Sequence, residues 1–69
     1  MEFKDIFKKL LRESGMTQAE FCRKSGLQTS YVSQINTGKT PDPSFSKVCL
    51  IADTFEVSLN EISEMWREE

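Results

Sequence analysis

The sequence predicts a compact all-α domain built from five short helices. Apolar residues recur at spacings of three and four, which is the period of an amphipathic helix and not the alternation of a strand. Glycines and capping residues divide this pattern into short segments joined by turns. A chain of 69 residues can form one core that buries roughly 60% of the unfolded surface, so we expect a single domain over residues 1–69.

The first helix is predicted from Phe3 to Glu13. Its apolar residues lie at helical spacing and form one stripe that should face the core: Phe3, Ile6, Phe7, Leu10 and Leu11. Ser14 and Gly15 follow this stripe. Because glycine readily adopts positive φ, it is expected to end the helix there.

Thr17 and Glu20 predict the start of the second helix. They have the spacing of a capping box, in which the threonine caps the helix and the glutamate reaches back to the threonine amide. Gly26 is expected to end this helix and to leave a turn of about four residues, the length found in a helix-turn-helix unit. The unit should therefore occupy about residues 17–38.

The two helices of this unit are expected to pack through four apolar side chains, Phe21, Leu27, Val32 and Ile35. Cys22 is small enough to let their backbones approach closely. Gly38 follows the second of these helices as its C′ residue, with Lys39 just beyond it.

The second helix of the unit carries no charge. Residues 28–37 contain amides, small hydroxyls and three apolar residues, although 29% of the whole chain is charged. On helical spacing, the apolar Tyr31, Val32 and Ile35 share one face, and the other face carries Thr29, Ser30, Ser33, Gln34 and Thr37. Solvated faces normally carry lysine and glutamate, whereas short donors and acceptors suit the base edges of the DNA major groove.

Two further helices are predicted after a loop at residues 40–43. Asp42 is expected to cap the fourth helix and Pro43 to occupy its first position. The residues that this helix should bury are Phe45, Val48, Ile51, Ala52 and Phe55. Ser58 and Glu61 form a second capping box, which opens a fifth helix with an apolar stripe of Leu59, Ile62, Met65 and Trp66.

The charges are unevenly distributed along the chain. A net charge of −2 would by itself disfavour DNA, because binding depends largely on neutralising phosphates with Lys and Arg. Residues 1–47, however, carry eight basic residues against five acidic ones, whereas residues 48–69 carry one against six. The basic part holds the helix-turn-helix pattern, as expected if one face meets DNA and the other faces solvent or a partner.

Composition and motifs argue against an enzyme and against a membrane protein. The chain has no histidine, no glycine-rich phosphate loop and no metal-ligand cluster, so neither catalysis nor a cofactor is expected. Without a signal peptide or an apolar run of about 18 residues, we expect a cytoplasmic protein. Cys22 and Cys49 lack metal-type spacing and are expected to be reduced packing residues.

The pattern resembles the lambda-repressor-like (Cro/C1, or Xre-type) family of DNA-binding domains. The stretches that carry the resemblance, with the family's spacing, are residues 16–22, 25–27, 31–35 and 38–39, and residues 51–62 are similar to the family's fourth and fifth helices. Three residues depart from the usual pattern. Cys22 stands where alanine is commonest, Gln28 where Ser or Thr usually caps the recognition helix, and Asn36 where Glu is common near the DNA.

The resemblance and the helical geometry together imply which residues contact DNA. Base readout is expected from Gln28, Thr29, Ser30, Ser33 and Gln34. Contacts to the DNA backbone, which fix register without reading sequence, are expected from Arg12, Gln18, Tyr31, Thr37 and Lys39. Gln18 would be helped by the free amides and the positive dipole end of its helix.

The implied function is sequence-specific binding of double-stranded DNA by a transcriptional regulator. We expect a bacterial or phage-encoded repressor of the kind found in phage or prophage circuits and toxin–antitoxin operons. The alternative is a protein-interaction module that kept the fold and uses its acidic tail and the edge formed by Met65 and Trp66 as a contact surface. The polar face of residues 29–37 favours DNA.

We also expect a homodimer on a near-palindromic operator, because one recognition helix reads only a few base pairs. A small interface would allow pairing on DNA only. The expected contacts are Leu59, Ile62, Met65 and Trp66, although Trp66 could equally be the lid of the monomer's own core.

Overall fold

The computed structural model describes residues 1–67, which contain five α-helices. These are α1 (Phe3–Ser14), α2 (Gln18–Ser25), α3 (Thr29–Thr37), α4 (Phe45–Phe55) and α5 (Leu59–Arg67). The predicted all-α, five-helix fold is confirmed. No helix in this range is long and apolar enough to cross a membrane.

Aromatic side chains from three helices form the centre of the core. The Phe7 ring of α1 meets Phe21 of α2 edge-on at a centroid distance of 5.0 Å. Phe21 stacks on Phe55 of α4 at 4.8 Å. Such pairs contribute about 0.5–1.5 kcal/mol each beyond the burial of their area. This cluster joins the first, second and fourth helices and holds the helix-turn-helix unit on α1 and α4.

The predicted capping box is present at the start of α2. The Thr17 hydroxyl oxygen accepts from the Glu20 amide at 3.1 Å, and the Glu20 carboxylate accepts from the Thr17 amide, also at 3.1 Å. The Thr17 amide and hydroxyl together lower the pKa of Glu20. Because a lowered pKa favours the charged form, this contribution to stability is present at neutral pH and is lost as pH falls through that pKa.

Removing this cap should destabilise the domain measurably. We expect Thr17→Ala to lower the free energy of unfolding by about 0.5–2 kcal/mol, because the Glu20 amide loses its acceptor. Urea denaturation followed by circular dichroism measures this difference. Thr17→Ser retains the hydroxyl and is the matched control. If Thr17→Ser and Thr17→Ala lower the free energy of unfolding equally, the hydroxyl is not the stabilising group.

Two glycines end the helices of the helix-turn-helix unit, as predicted. Gly26 has φ +77 and Gly38 has φ +84, both in the left-handed region that favours glycine. α2 ends at Ser25 and α3 begins at Thr29, so the turn between them is short. Packing across it involves Val32 and Ile35, which are fully buried, and the partly buried side chains of Cys22 and Leu27.

The start of α4 differs from the prediction. The helix begins at Phe45 with Ser44 at the N-cap, so the predictions that Asp42 caps it and that Pro43 is its first residue are wrong. Pro43 is buried before the helix begins. Phe45 was expected in the core but is 73% exposed. It belongs to the first turn, where the helix extends past the core, and helical spacing alone does not show where the core ends.

The other helix boundaries agree closely with the prediction. α1 extends one residue further than expected, to Ser14. At the start of α5, the Ser58 hydroxyl accepts from the Glu61 amide at 3.1 Å, which confirms the predicted cap. Within residues 1–67, the Glu61 carboxylate does not make the reciprocal hydrogen bond of a full capping box.

Candidate nucleic-acid interface

The polar side of α3 faces solvent. All five residues expected to read bases are exposed: Gln28, Thr29, Ser30, Ser33 and Gln34. On the opposite side, Val32 and Ile35 are both 0% exposed, so the core fixes the rotation of the helix about its axis. The fold therefore gathers the five candidate readers on one surface.

The size of α3 and its N-terminal end suit a DNA groove. Its nine residues span about 13 Å, and the major groove admits an α-helix at a width of about 12 Å. The first α3 amide that bonds a backbone carbonyl is that of Val32, which donates to Gln28 at 3.1 Å. Earlier amides therefore face outward at the positive end of the helix dipole, and the first turn holds no acidic residue.

Gln28 occupies the N-cap position of α3 without capping it. Its backbone is extended and its side chain makes no cap hydrogen bond. A serine or threonine at this position would use its hydroxyl oxygen to accept a hydrogen bond from an α3 amide. Because the exposed side-chain amide of Gln28 makes no such bond, it is not required for capping the helix.

Two hydroxyls at the end of α3 are already engaged within the chain. The Thr40 hydroxyl donates to the Gln34 side-chain oxygen at 3.4 Å. The Thr37 hydroxyl donates to the Ser33 carbonyl at 3.0 Å. Because a phosphate oxygen only accepts hydrogen bonds, Thr37 could bond a phosphate only by giving up this contact.

The residues expected to contact the DNA backbone lie on several elements. Gln18 is half-buried as the first residue of α2, and Arg12 and Lys39 are exposed. The first amides of α2 that find an acceptor are those of Glu20 and Phe21, both at Thr17. The Gln18 amide is therefore available to an anion, although the Glu20 carboxylate in the same turn weakens the positive potential there.

Tyr31 connects α3 with the first turns of α4. Its half-buried ring lies 5.7 Å from the Lys47 ammonium, measured to the ring centroid. Burial raises the pKa of its hydroxyl. The hydroxyl therefore keeps its proton at neutral pH and can donate to an acceptor such as a phosphate oxygen.

One residue beside α3 and one within it were not predicted as contacts from the sequence. The side chain of Lys4 in α1 passes against Gly38 at the end of α3. The half-buried Asn36 has its side-chain oxygen fully buried and without a hydrogen-bond donor among residues 1–67. A buried acceptor left unpaired costs about 1–3 kcal/mol. The departure from the family pattern at Asn36 was the only sequence signal for either residue.

The four residues expected at a dimer seam do not form one surface. Ile62 is 1% exposed and belongs to the core, so it offers a partner almost no surface of its own. Met65 is half-buried beside Glu13, Glu61 and Glu64 in a groove next to α1. Leu59, Ile62 and Trp66 line a second groove, in which Leu59 and Trp66 supply the accessible surface.

That groove lies between the start of α4 and α5 and has a volume of about 460 Å³. Phe45, which was not predicted to be accessible, lines it together with Leu59 and Trp66. The Trp66 ring also lies 4.9 Å from that of Phe3, centroid to centroid. Trp66 is therefore both a partial lid on the core and one wall of the groove, which we call the α4–α5 groove.

A helix-turn-helix family model of the Cro/C1 type matches residues 7–62, which is most of the chain. No curated protein and no solved structure matches it. The matched region includes α2, the turn at Gly26 and the whole of α3. The chain therefore belongs to the Cro/C1-type helix-turn-helix family, whose members are sequence-specific DNA-binding regulators.

Proposed function

We propose that this chain is a transcriptional repressor that occupies a near-palindromic operator as a homodimer and thereby blocks the promoter. The single observation that carries the proposal is the uncharged, solvent-facing polar side of α3. The family supplies the general role as a regulator. Cytoplasmic control circuits of phages or prophages and toxin–antitoxin operons are the settings in which we expect it.

In this proposal α3 lies in the major groove with its N-terminal half towards the bases. Thr29, Ser30 and Ser33 project from the exposed side within the first turns, where hydroxyls can bond either kind of base. Gln28 reaches in from the turn before α3. Gln34 lies one turn further along, and its side-chain amide oxygen accepts a hydrogen bond from the Thr40 hydroxyl at 3.4 Å.

The Thr40 contact affects what Gln34 can read. A glutamine that recognises adenine uses both its oxygen and its nitrogen. While Thr40 occupies the oxygen, the N–H donors remain for a single acceptor on a base edge. A two-bond contact to adenine requires Thr40 to share or release that oxygen, which a hydrogen bond as long as 3.4 Å readily allows.

Gln18, Lys39 and Arg12 then position the domain by contacting phosphates, and Tyr31 donates its hydroxyl to one. These contacts carry no sequence information but fix how deeply α3 enters the groove. Thr37 contributes to phosphate binding only if its bond to the Ser33 carbonyl opens.

A second copy completes the readout. The principal-axis extents of the domain are 29 × 24 × 21 Å, whereas half-sites one helical turn apart are separated by about 34 Å. Two copies can therefore sit side by side and touch only at their edges. We place that contact at the α4–α5 groove, because Phe45, which follows the α3–α4 loop, and Leu59, which begins α5, are exposed there and offer apolar surface to a neighbour.

Selection of bound DNA from a random duplex pool tests this function directly. We expect the enriched sequences to contain two inverted half-sites whose centres are about 10 base pairs apart. Ser33→Glu places a carboxylate on the reading side of α3 and should abolish enrichment without disturbing the core. Asn60→Glu adds the same charge at an exposed position of α5 and is the control. A folded wild-type protein that enriches no sequence would contradict the proposed function.

A further inference from the structure

Lys4 of α1 lies directly against the C-terminal end of α3. Its Cδ atom is 3.1 Å, and its ammonium nitrogen 3.8 Å, from the position that a Cβ atom on residue 38 would occupy. Gly38 therefore has two roles, since it permits the left-handed turn at φ +84 and also leaves room for the lysine stem. The packing therefore places the Lys4 side chain against the residue that precedes Lys39 in the chain.

The charge of Lys4 is not paired with an acidic side chain in the described part of the fold. Within residues 1–67 its ammonium forms no ion pair. Two carbonyls near the end of α3 already have amide donors, since the Gln34 carbonyl accepts from the Lys39 amide at 2.9 Å and the Ile35 carbonyl accepts from the Gly38 amide at 3.2 Å.

The charges at this end of α3 favour an anion. The helix dipole provides only about half a negative charge, whereas Lys4 and Lys39 bring two positive charges to the same short segment. An anion that contacts both side chains would be attracted by both charges. Lys9 has the opposite surroundings, because it lies on the other edge of α1 among Glu13, Glu61 and Glu64.

We propose that Lys4 and Lys39 together bind a DNA phosphate and so fix the C-terminal end of α3 on the backbone. The inference rests on the proposed function, in which α3 enters the major groove. Lys4 is then a positioning residue, because it sets the depth of the recognition helix without reading a base. It comes from α1, so the phosphate joins α1 to the helix-turn-helix unit across Gly38.

The salt dependence of binding tests this role. We expect Lys4→Met to weaken binding to selected and random duplexes alike and to lower the slope of log K against log salt by about one. Lys39→Met should have the same effect, whereas Lys4→Arg should retain the wild-type slope. Lys9→Met changes the same residue type in the same helix and should leave the slope unchanged.

A structural role alone would give a different result. If Lys4 only supports the end of α3, Lys4→Met lowers the melting temperature while the slope stays at the wild-type value, and the proposal is overturned. The same conclusion follows if Lys39→Met lowers the slope and Lys4→Met does not. Failure of the wild type to select any sequence would instead contradict the proposed function, so the two failures are distinguishable.

Discussion

Replacing Phe45 with serine should reduce the number of chains on a full operator from two to one at protein concentrations that saturate the wild type with two. Phe45 is 73% exposed and lines the α4–α5 groove, so serine removes the groove's most accessible apolar surface without opening the core. Joining two weak half-site contacts can raise affinity by about 10²–10⁴-fold, and the variant should lose most of that gain. Sedimentation with a palindromic duplex counts the bound chains.

Matched variants separate the interface from general damage. Leu50→Ser removes a half-buried leucine from the same helix but from another groove, beside Lys24 and Asp53, and should still bind as two chains. Phe45→Leu keeps an apolar side chain and should largely preserve pairing. Two chains bound by Phe45→Ser, or one chain bound by the wild type at saturation, would contradict the proposed dimer surface.

The apolar stripe of α5 shows what helical spacing can and cannot predict. Leu59 and Met65 belong to one apolar stripe, yet six residues at 100° each put them about 120° apart around the helix. They therefore line different grooves, Leu59 beside α4 and Met65 beside α1. Ile62, between these edges, is in the core. An apolar stripe identifies the buried side of a helix, but the helices packed against it determine which residues at the borders of the stripe stay accessible.

Helix ends could be predicted where local chemistry determines them. Thr17 and Gly26 act through hydrogen bonds and backbone angles within a few residues, and both behave as expected. The start of α4 is different, because Ser44 makes no side-chain cap there. Asp42 as the N-cap and Pro43 as the first helical residue fit the sequence preferences for a helix start equally well. Burial of Pro43, which is a tertiary contact, accompanies the later start.

The features of the candidate site also divide into those that local sequence predicts and those that depend on packing between helices. The polar side of α3 follows from spacing alone, because Val32 and Ile35 turn one side inward and leave the other to solvent. The position of Lys4 beside Gly38 could not be predicted, since the two residues are far apart in the chain and meet only when α1 packs on α3. The sides of a single helix can be predicted from sequence, whereas contacts between helices can be identified only from the folded structure.

Gln34→Ala should weaken binding to the selected operator by about 1–3 kcal/mol, which is about 5–150-fold, and leave binding to random duplexes nearly unchanged. The side chain is exposed on the reading side of α3, and within residues 1–67 its only hydrogen-bond partner is the Thr40 hydroxyl at 3.4 Å. Its removal therefore costs little stability. Fluorescence anisotropy titrations with the two DNAs, at one salt concentration, measure the difference.

Gln18→Ala is the matched control, because it removes the same side chain from a position expected to contact phosphate. Its loss should be similar on selected and random DNA, in contrast to the selective loss for Gln34→Ala. Thr40→Val tests the contact that holds the Gln34 oxygen: selectivity should change while binding to random DNA remains near the wild-type value. Equal losses on both DNAs for Gln34→Ala would mean that Gln34 positions the helix and that base readout lies with the hydroxyls nearer the start of α3.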